Sequence, residues 1–207
     1  TRLGRVTASN ASKLLVKAKS KKDQEAGKLS GTAETYMMEI LGELAKGFPT
    51  EIFCKQMQWG TDHEPEAREF FEQENFCVVE EQGLLLHQEE QSFGASLDGW
   101  YESQGEEKNL EIKCPYNVAN HLAYFLGSPI KKEYIAQMQW GMWITGRQSC
   151  TFVSYRPDIA DHLKMFSVDV PRDQDYIDNM EAMANAFLEE MNRRKDLLEL
   201  PRFIVEA

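Results

Sequence analysis

The chain of 207 residues is 42% hydrophobic and 28% charged, with a net charge of −11, which suits a globular domain able to bury a real core. No apolar run reaches the roughly 18 residues of a membrane span, and the opening TRLGRVTAS lacks the apolar stretch of a signal peptide. Four scattered cysteines (Cys54, Cys77, Cys114, Cys150) form no CxxC pair, and no two of the four histidines stand at ligand spacing. This argues against a zinc ribbon, a disulfide framework or a His-rich metal site, and for reduced thiols in a cytosolic setting.

Along the chain, the spacing first predicts a short helix over 8–16, capped by Thr7 or Ser9. A polar, lysine-rich loop follows. Residues 1–31 carry eight basic and two acidic side chains, a net of +6, which leaves −17 on the rest. A basic segment on an acidic body can hold a polyanion at one place and repel it elsewhere, although a plain solvated loop has the same composition. Residues 31–46 read as a helix with Tyr36, Met37, Ile40, Leu41 and Leu44 on one stripe, ended at Gly47-Phe48-Pro49. A helix over 61–75, capped near Thr61 or Asp62, would put Glu64 in its first turn. Strand segments follow at 76–80 and 83–87, then strands at 93–102 and 108–114 joined by a turn at 103–107. A helix is expected over 116–126, and residues 133–145, apolar nearly all round, read as a buried helix. Strands at 149–155 and 165–170 precede a long amphipathic helix over 173–200. The order predicts one mixed α/β domain over 1–207: a helical and basic segment (1–58), a core over about 59–170 and a closing helix over about 173–200.

The strand LEIKC (110–114) puts Glu111 and Lys113 on one face and Leu110, Ile112 and Cys114 on the other. By itself this describes a solvated strand face, and Lys113 could simply pair with Glu111. Three neighbours change the balance. Asp98, between Gly94 and Gly99 in an otherwise apolar strand, is costly to bury unless something pairs it. Strand–turn–strand geometry can bring Asp98 beside Glu111, and two close carboxylates suit a divalent cation. Glu64 could add a third. Oxygen donors without His or Cys favour Mg²⁺ or Mn²⁺, ions that stabilise charge on a phosphodiester and acidify bound water. Lys113 would then lie beside the cations, with its pKa depressed by them, and orient or deprotonate that water.

Asp98 followed by Glu111-x-Lys113 resembles the D…(D/E)xK core of the restriction-endonuclease-like nuclease superfamily. The words RLGRVTAS (2–9), WGTDHEPEAREFFE (59–72), GASLDG (94–99), LEIKCP (110–115) and YIAQMQWGMWIT (134–145) together resemble the lambda-type phage exonuclease family, also called YqaJ-like viral recombinase or alkaline exonuclease. The resemblance implies a PD-(D/E)XK core, a mixed central sheet flanked by helices. It implies two Mg²⁺ ions, with Mn²⁺ as a substitute, held by Asp98, Glu111 and the Ile112 carbonyl, with Glu64 near the second ion and Lys113 as the catalytic lysine. It implies a 5′-phosphate pocket lined by Arg2, Ser9, Ser96 and Gln137, with Lys19 and Tyr134 as further DNA contacts. Each has a duller reading: Ser9 as a helix cap, Ser96 as a small strand residue, Tyr134 as core. Gln137 is odder, since it sits with Gln139 in a helix otherwise full of Tyr, Ile, Met and Trp, and buried amides need partners, a ligand phosphate or a backbone group.

The activity implied is Mg²⁺-dependent, 5′-to-3′ digestion of one strand of linear double-stranded DNA to mononucleotides, leaving 3′ overhangs for recombination by strand annealing. A homotrimeric ring, an annealing-protein partner and a phage or prophage protein acting in a bacterial cytoplasm come with it. Rival readings are another nuclease of the superfamily, an endonuclease or an iron–sulfur repair nuclease that would need clustered cysteines, and a non-catalytic DNA-end-binding module.

Overall fold

A computed structural model of the chain describes residues 2–50 and 53–203. Its elements are β1 (Val6–Thr7), a 3₁₀ turn (Ala8–Asn10), α1 (Ala11–Leu14), α2 (Lys21–Glu25), α3 (Gly31–Lys46), α4 (Lys55–Asn75), β2 (Glu80–Leu86), β3 (Phe93–Ser103), β4 (Glu106–Lys113), α5 (Val118–Phe125), α6 (Lys132–Thr145), β5 (Ser149–Tyr155), a 3₁₀ turn (Asp161–Leu163), β6 (Met165–Pro171) and α7 (Gln174–Leu197). One mixed sheet has the order β1-β3-β4-β5-β6, with β2 paired to β3. β3, β4 and β5 are the heart of it: β3 and β4 form an antiparallel hairpin, while α5 and α6 form the crossover that lets β5 run parallel to β4. This is the expected mixed sheet flanked by helices. None of the helices among the described residues is long and apolar enough to cross a membrane.

Three hydrophobic clusters pack on the sheet, one of them Tyr124, Met138, Met142, Cys150, Phe152 and Val170 between α5, α6, β5 and β6. On one face α1, α3, α6 and α7 bury Met37, Ile40, Phe93, Trp140, Ile177 and Phe187. On the other, α4 packs Ala67 and Phe71 over Tyr101, Leu110, Ile112 and Tyr155. The helix ends follow capping chemistry. Ser30 accepts the Ala33 N–H at 3.1 Å to start α3, Gly47 closes it with φ +81°, and Asp173 accepts the Tyr176 N–H at 3.0 Å to start α7.

Several boundaries differ from those expected. The helix expected over 8–16 is a 3₁₀ turn and a single α-turn, because Thr7 is committed to β1 beside β3 and neither Thr7 nor Asn10 makes a side-chain cap. The lysine-rich loop holds α2, capped by Ser20 through the Asp23 N–H. α4 starts at Lys55 rather than 61, so Glu64 is not in its first turn. The helix runs through Gly60 and the expected caps Thr61 and Asp62, and carries Pro65 inside it. Of the strands expected at 76–80 and 83–87, residues 76–79 are not strand, and Glu80 joins the second segment in one strand, β2, with register irregularities between Glu80 and Leu84, where Gly83 marks a bulge rather than a break. Phe76 instead closes α4 in the left-handed region, φ 51°. The turn between β3 and β4 is the pair Gln104-Gly105, with φ 56° and 81°, as a two-residue hairpin loop requires.

Candidate active site

The site forms where two paired strands part. The β3–β4 ladder ends at Gly99 opposite Leu110. One residue further on, the Asp98 carboxylate accepts the Ile112 N–H at 2.7 Å, so a side chain takes the place of a ladder bond. The alternation of β3 breaks at the same point. Phe93, Ala95 and Leu97 join the α6-side core, whereas Tyr101 joins the α4-side core and a side chain at Gly99 would strike Val79 of that core at 2.4 Å. Residues 97 and 99 of an unbroken strand would share a face. The kink leaves the Asp98 carboxylate at the parting of the strands.

β4 supplies the rest. Leu110 and Ile112 face the α4-side core, so Glu111 and Lys113 face α6. Glu111 is 3% exposed, and its Oε1 forms an ion pair with the Lys113 ammonium. The Lys113 ammonium also lies 5.3 Å from the centre of the Tyr134 ring. From α4, Glu64 reaches toward the pair and is held by Arg68 at 3.2 Å, whose other arm holds Glu81.

The three carboxyl groups share one electrostatic problem. Burial pushes Glu111 up to about 7 against the pull of Lys113, with Asp98 and Glu64 adding to the rise. Burial raises Asp98, opposed by Lys113, the Ile112 N–H, Arg68 and Arg2. Burial and then Asp98 raise Glu64, with Arg68 and Lys113 opposing. Lys113 behaves in the opposite way to the sequence expectation. Burial would push it down, but Glu111 and Asp98 outweigh burial and hold it above its ordinary value. The depression expected for Lys113 requires a cation to take over those carboxylates.

A divalent cation fits this donor set. The groups are oxygen donors crowded with negative charge, and the burial and mutual repulsion that raise their pKa values are what a cation would relieve. Among the described residues no trio of His, Cys, Asp and Glu converges closely enough to form a full ligand set.

Glu64, Asp98 and Lys113 open on a groove of about 1190 Å³. Arg2, Glu64, Asp98, Ile112, Lys113, Tyr134 and Gln137 line it. Glu111, which is buried, and Ser9, Ser96 and Lys19 do not line it. Ser9 is exposed on the 3₁₀ turn, near the Thr7 hydroxyl at 3.4 Å; Ser96 is half-buried in β3 opposite Leu84; Lys19 is exposed before α2. The two α6 amides separate cleanly. Gln139 is satisfied by backbone, donating to the Pro171 carbonyl and accepting the Asp173 N–H. Gln137 faces the groove and has no hydrogen-bond partner among the described residues. Sequence reasoning missed Arg68, although it stands four residues after Glu64, the spacing of a helical ion pair. It also missed Lys131, whose ammonium lies 5.5 Å from the other partner of Lys113, the Tyr134 ring, and Arg156, which stacks 4.5 Å over Trp59 and donates to the Pro115 and Tyr116 carbonyls, fixing the loop after β4.

Residues 1–148 match the family model of the YqaJ-like viral recombinase domain. Among solved structures, the alkaline exonuclease LHK-Exo from Laribacter hongkongensis is similar at 34% identity with a TM-score of 0.82, over 96% of this chain and 93% of that one. LHK-Exo in complex with dAMP gives 35% identity and 0.83 over the same shares. A phage-related exonuclease from Haemophilus somnus 129PT has a TM-score of 0.75 at 20% identity, over 94% of this chain and 96% of that one, a likeness of fold. No curated protein matches the chain.

Proposed function

The chain belongs to the family of YqaJ-like viral recombinase domains, and on that premise we propose that it is a Mg²⁺-dependent exonuclease that digests one strand of linear double-stranded DNA from its 5′ end. The single observation that carries the reading is the meeting of Asp98 and Lys113 at the parting of β3 and β4, on the wall of a groove, with the buried Glu111 paired to Lys113. The products are mononucleotides and a 3′ overhang, the substrate of a strand-annealing partner in recombination. LHK-Exo, at 35% identity, is an alkaline exonuclease that has been seen with dAMP, which supports a nucleotide-sized product site here.

Asp98, Glu111 and the Ile112 carbonyl would hold the ion, with Glu64 placed for a second and Mn²⁺ able to replace Mg²⁺. When bound, such an ion stabilises charge on the phosphodiester and acidifies a water. Lys113, flanked by Glu111 and the Tyr134 ring, orients that water or balances charge at the reacting phosphate. Arg2 and Gln137 take the 5′-phosphate. Gln137 is suited by its uncommitted amide, and Arg2 by a guanidinium fork that matches phosphate. A ring of three subunits around DNA, and work in a bacterial cytoplasm, belong to the same proposal.

One digestion series tests it: linear phosphorylated duplex, linear dephosphorylated duplex and closed circles, each with and without Mg²⁺. The proposal expects loss of linear duplex only, fastest with 5′-phosphate and abolished by chelation. Cleavage of closed circles would make the chain an endonuclease, and no Mg²⁺-dependent hydrolysis on any DNA would make it a binding module.

A further inference from the structure

Lys195 lies in α7 and is fully buried, 0% exposed. Its position continues the apolar stripe of Ile177, Met180, Ala184, Leu188 and Met191. A buried ammonium needs compensating contacts, and this one has no carboxylate partner in an ion pair among the described residues. It donates instead to two backbone carbonyls, those of Gly4, at 3.1 Å, and Arg202. Those carbonyls belong to two segments that it joins. Residues 2–5 form a tight turn in which the Arg2 carbonyl accepts the Arg5 N–H at 3.0 Å, and Gly4 supplies the positive φ of +80° that the turn needs. After α7 the chain reverses at Glu199, φ 54°, and residues 202–203 lie against that turn. A side chain at Gly4 would meet the Phe203 Cα at 2.9 Å and the Arg202 carbonyl at 3.0 Å. The Arg5 guanidinium stacks 4.2 Å over the Phe203 ring while its Nε donates to the Gln91 carbonyl. The first residue of the clamped turn is Arg2, which lines the groove with Asp98, Lys113 and Gln137.

We propose that Lys195 is a positioning residue for the phosphate end of the groove: by tying the 2–5 turn to α7 and to residues 202–203, it fixes where the Arg2 guanidinium stands. This gives α7 a part in end recognition although no residue of it lines the groove. The inference rests on the reading of Arg2 as a 5′-phosphate ligand. A lysine that only staples the fold would lower all rates together or none.

The test compares kcat/KM on 5′-phosphorylated and 5′-hydroxyl linear duplexes for the full chain, Arg2→Ala, Lys195→Met, the double variant and Phe203→Ala, which loosens the same clamp from the other side if Lys195→Met fails to fold. Lys195→Met is expected to lose about tenfold of the preference for phosphorylated ends while its rate on hydroxyl ends stays within about twofold of the original. It should cost nothing further once Arg2 is alanine, since both changes remove one interaction. Phe203→Ala should move the preference in the same direction. Equal losses on both ends, or a Lys195→Met effect that adds in full to that of Arg2→Ala, overturns the proposal. An Arg2→Ala enzyme that keeps its full preference overturns the phosphate reading of Arg2 itself, and the Lys195 proposal with it.

Discussion

Replacing Asp98 by Asn and by Ala separates its two jobs. Its carboxylate accepts the Ile112 N–H at 2.7 Å where the β3–β4 ladder ends, and it crowds Glu111, whose carboxyl burial already pushes up to about 7. Asparagine keeps an acceptor of the same shape and removes the charge. Alanine leaves the N–H of a buried residue without an acceptor, at a cost of about 1.5–3 kcal/mol for a hydrogen bond to a charged group. For a chain of this size each kcal/mol moves Tm by about 2–4 °C, so Asp98→Ala should melt about 3–12 °C below Asp98→Asn. In chelator, Asp98→Asn should melt at or above the original protein, because a repulsive buried charge is gone. Both variants should lose about 10³-fold or more in cleavage, roughly 4 kcal/mol of transition-state stabilisation. Scanning calorimetry in EDTA and digestion of phosphorylated linear duplex read the two effects. Equal melting of the two variants would refute the idea that the carboxylate holds the parted strands; full activity in Asp98→Asn would remove it from the chemistry.

Lys113→Ala should lose about 10²–10⁴-fold in cleavage while a gel-shift assay in EDTA finds duplex binding intact; cleavage at the original rate would exclude the lysine. Mg²⁺ at tenfold its Kd should stabilise the protein by about 1.4 kcal/mol, or roughly 3–6 °C in Tm, and should do much less for Asp98→Asn; an equal shift in both would place the ion elsewhere. Lys195 gives a pH signature. Burial pushes its pKa down to about 8, with Arg202 and Arg5 acting the same way and Glu90 against. The unfolded lysine titrates near 10.4, so between about pH 8 and 10.4 the unfolded state binds more protons and stability rises with pH, whereas below about 8 both states are charged and the cost of burial is felt in full. The difference in urea-unfolding free energy between the original protein and Lys195→Met should therefore grow, in favour of the lysine, by on the order of 2 kcal/mol from pH 7.5 to 10. A difference that stays flat would mean that the two carbonyls compensate the buried charge fully.

How much of the site can be read from the sequence depends on the range of the interactions that make it. β4 was legible because strand alternation is local: Leu110 and Ile112 inward on one side, Glu111 and Lys113 on the other. Asp98 was legible as an anomaly, a charge between glycines in an apolar strand. The break in β3 was not, because the change of face at Asp98 comes from which core each residue joins, and cores are assembled from distant segments. Thr61 and Asp62, read as a helix cap, misplaced the start of α4, which begins at Lys55 and carries both inside it. Gln137 and Gln139 looked alike in sequence. Only the position of Pro171 and Asp173, more than thirty residues away, decides which amide is already satisfied. Lys195 did leave a signal, a lysine four residues after Met191 on an apolar stripe, but its partners Gly4 and Arg202 lie at opposite ends of the described chain.

The charge balance of the groove explains how an acidic protein could take a polyanion. The raised carboxyls of Glu64, Asp98 and Glu111 each cost the fold something while no cation offsets them, and Lys113 meets part of that need at Glu111. Around them the groove wall carries Arg2, Lys131 and Arg156, cations suited to backbone phosphates. A divalent ion would compete with Lys113 for Glu111, and the freed ammonium would add to the positive wall. Ion binding and DNA binding should then favour each other, since each supplies the charge that the other lacks. The coupling has a specific dependence. It should weaken in Lys113→Ala, where no ammonium is released, even if the variant still binds the ion, so duplex affinity measured with and without Ca²⁺ should change less in that variant than in the original protein. An unchanged difference would mean that the groove gains its positive charge from the ion alone.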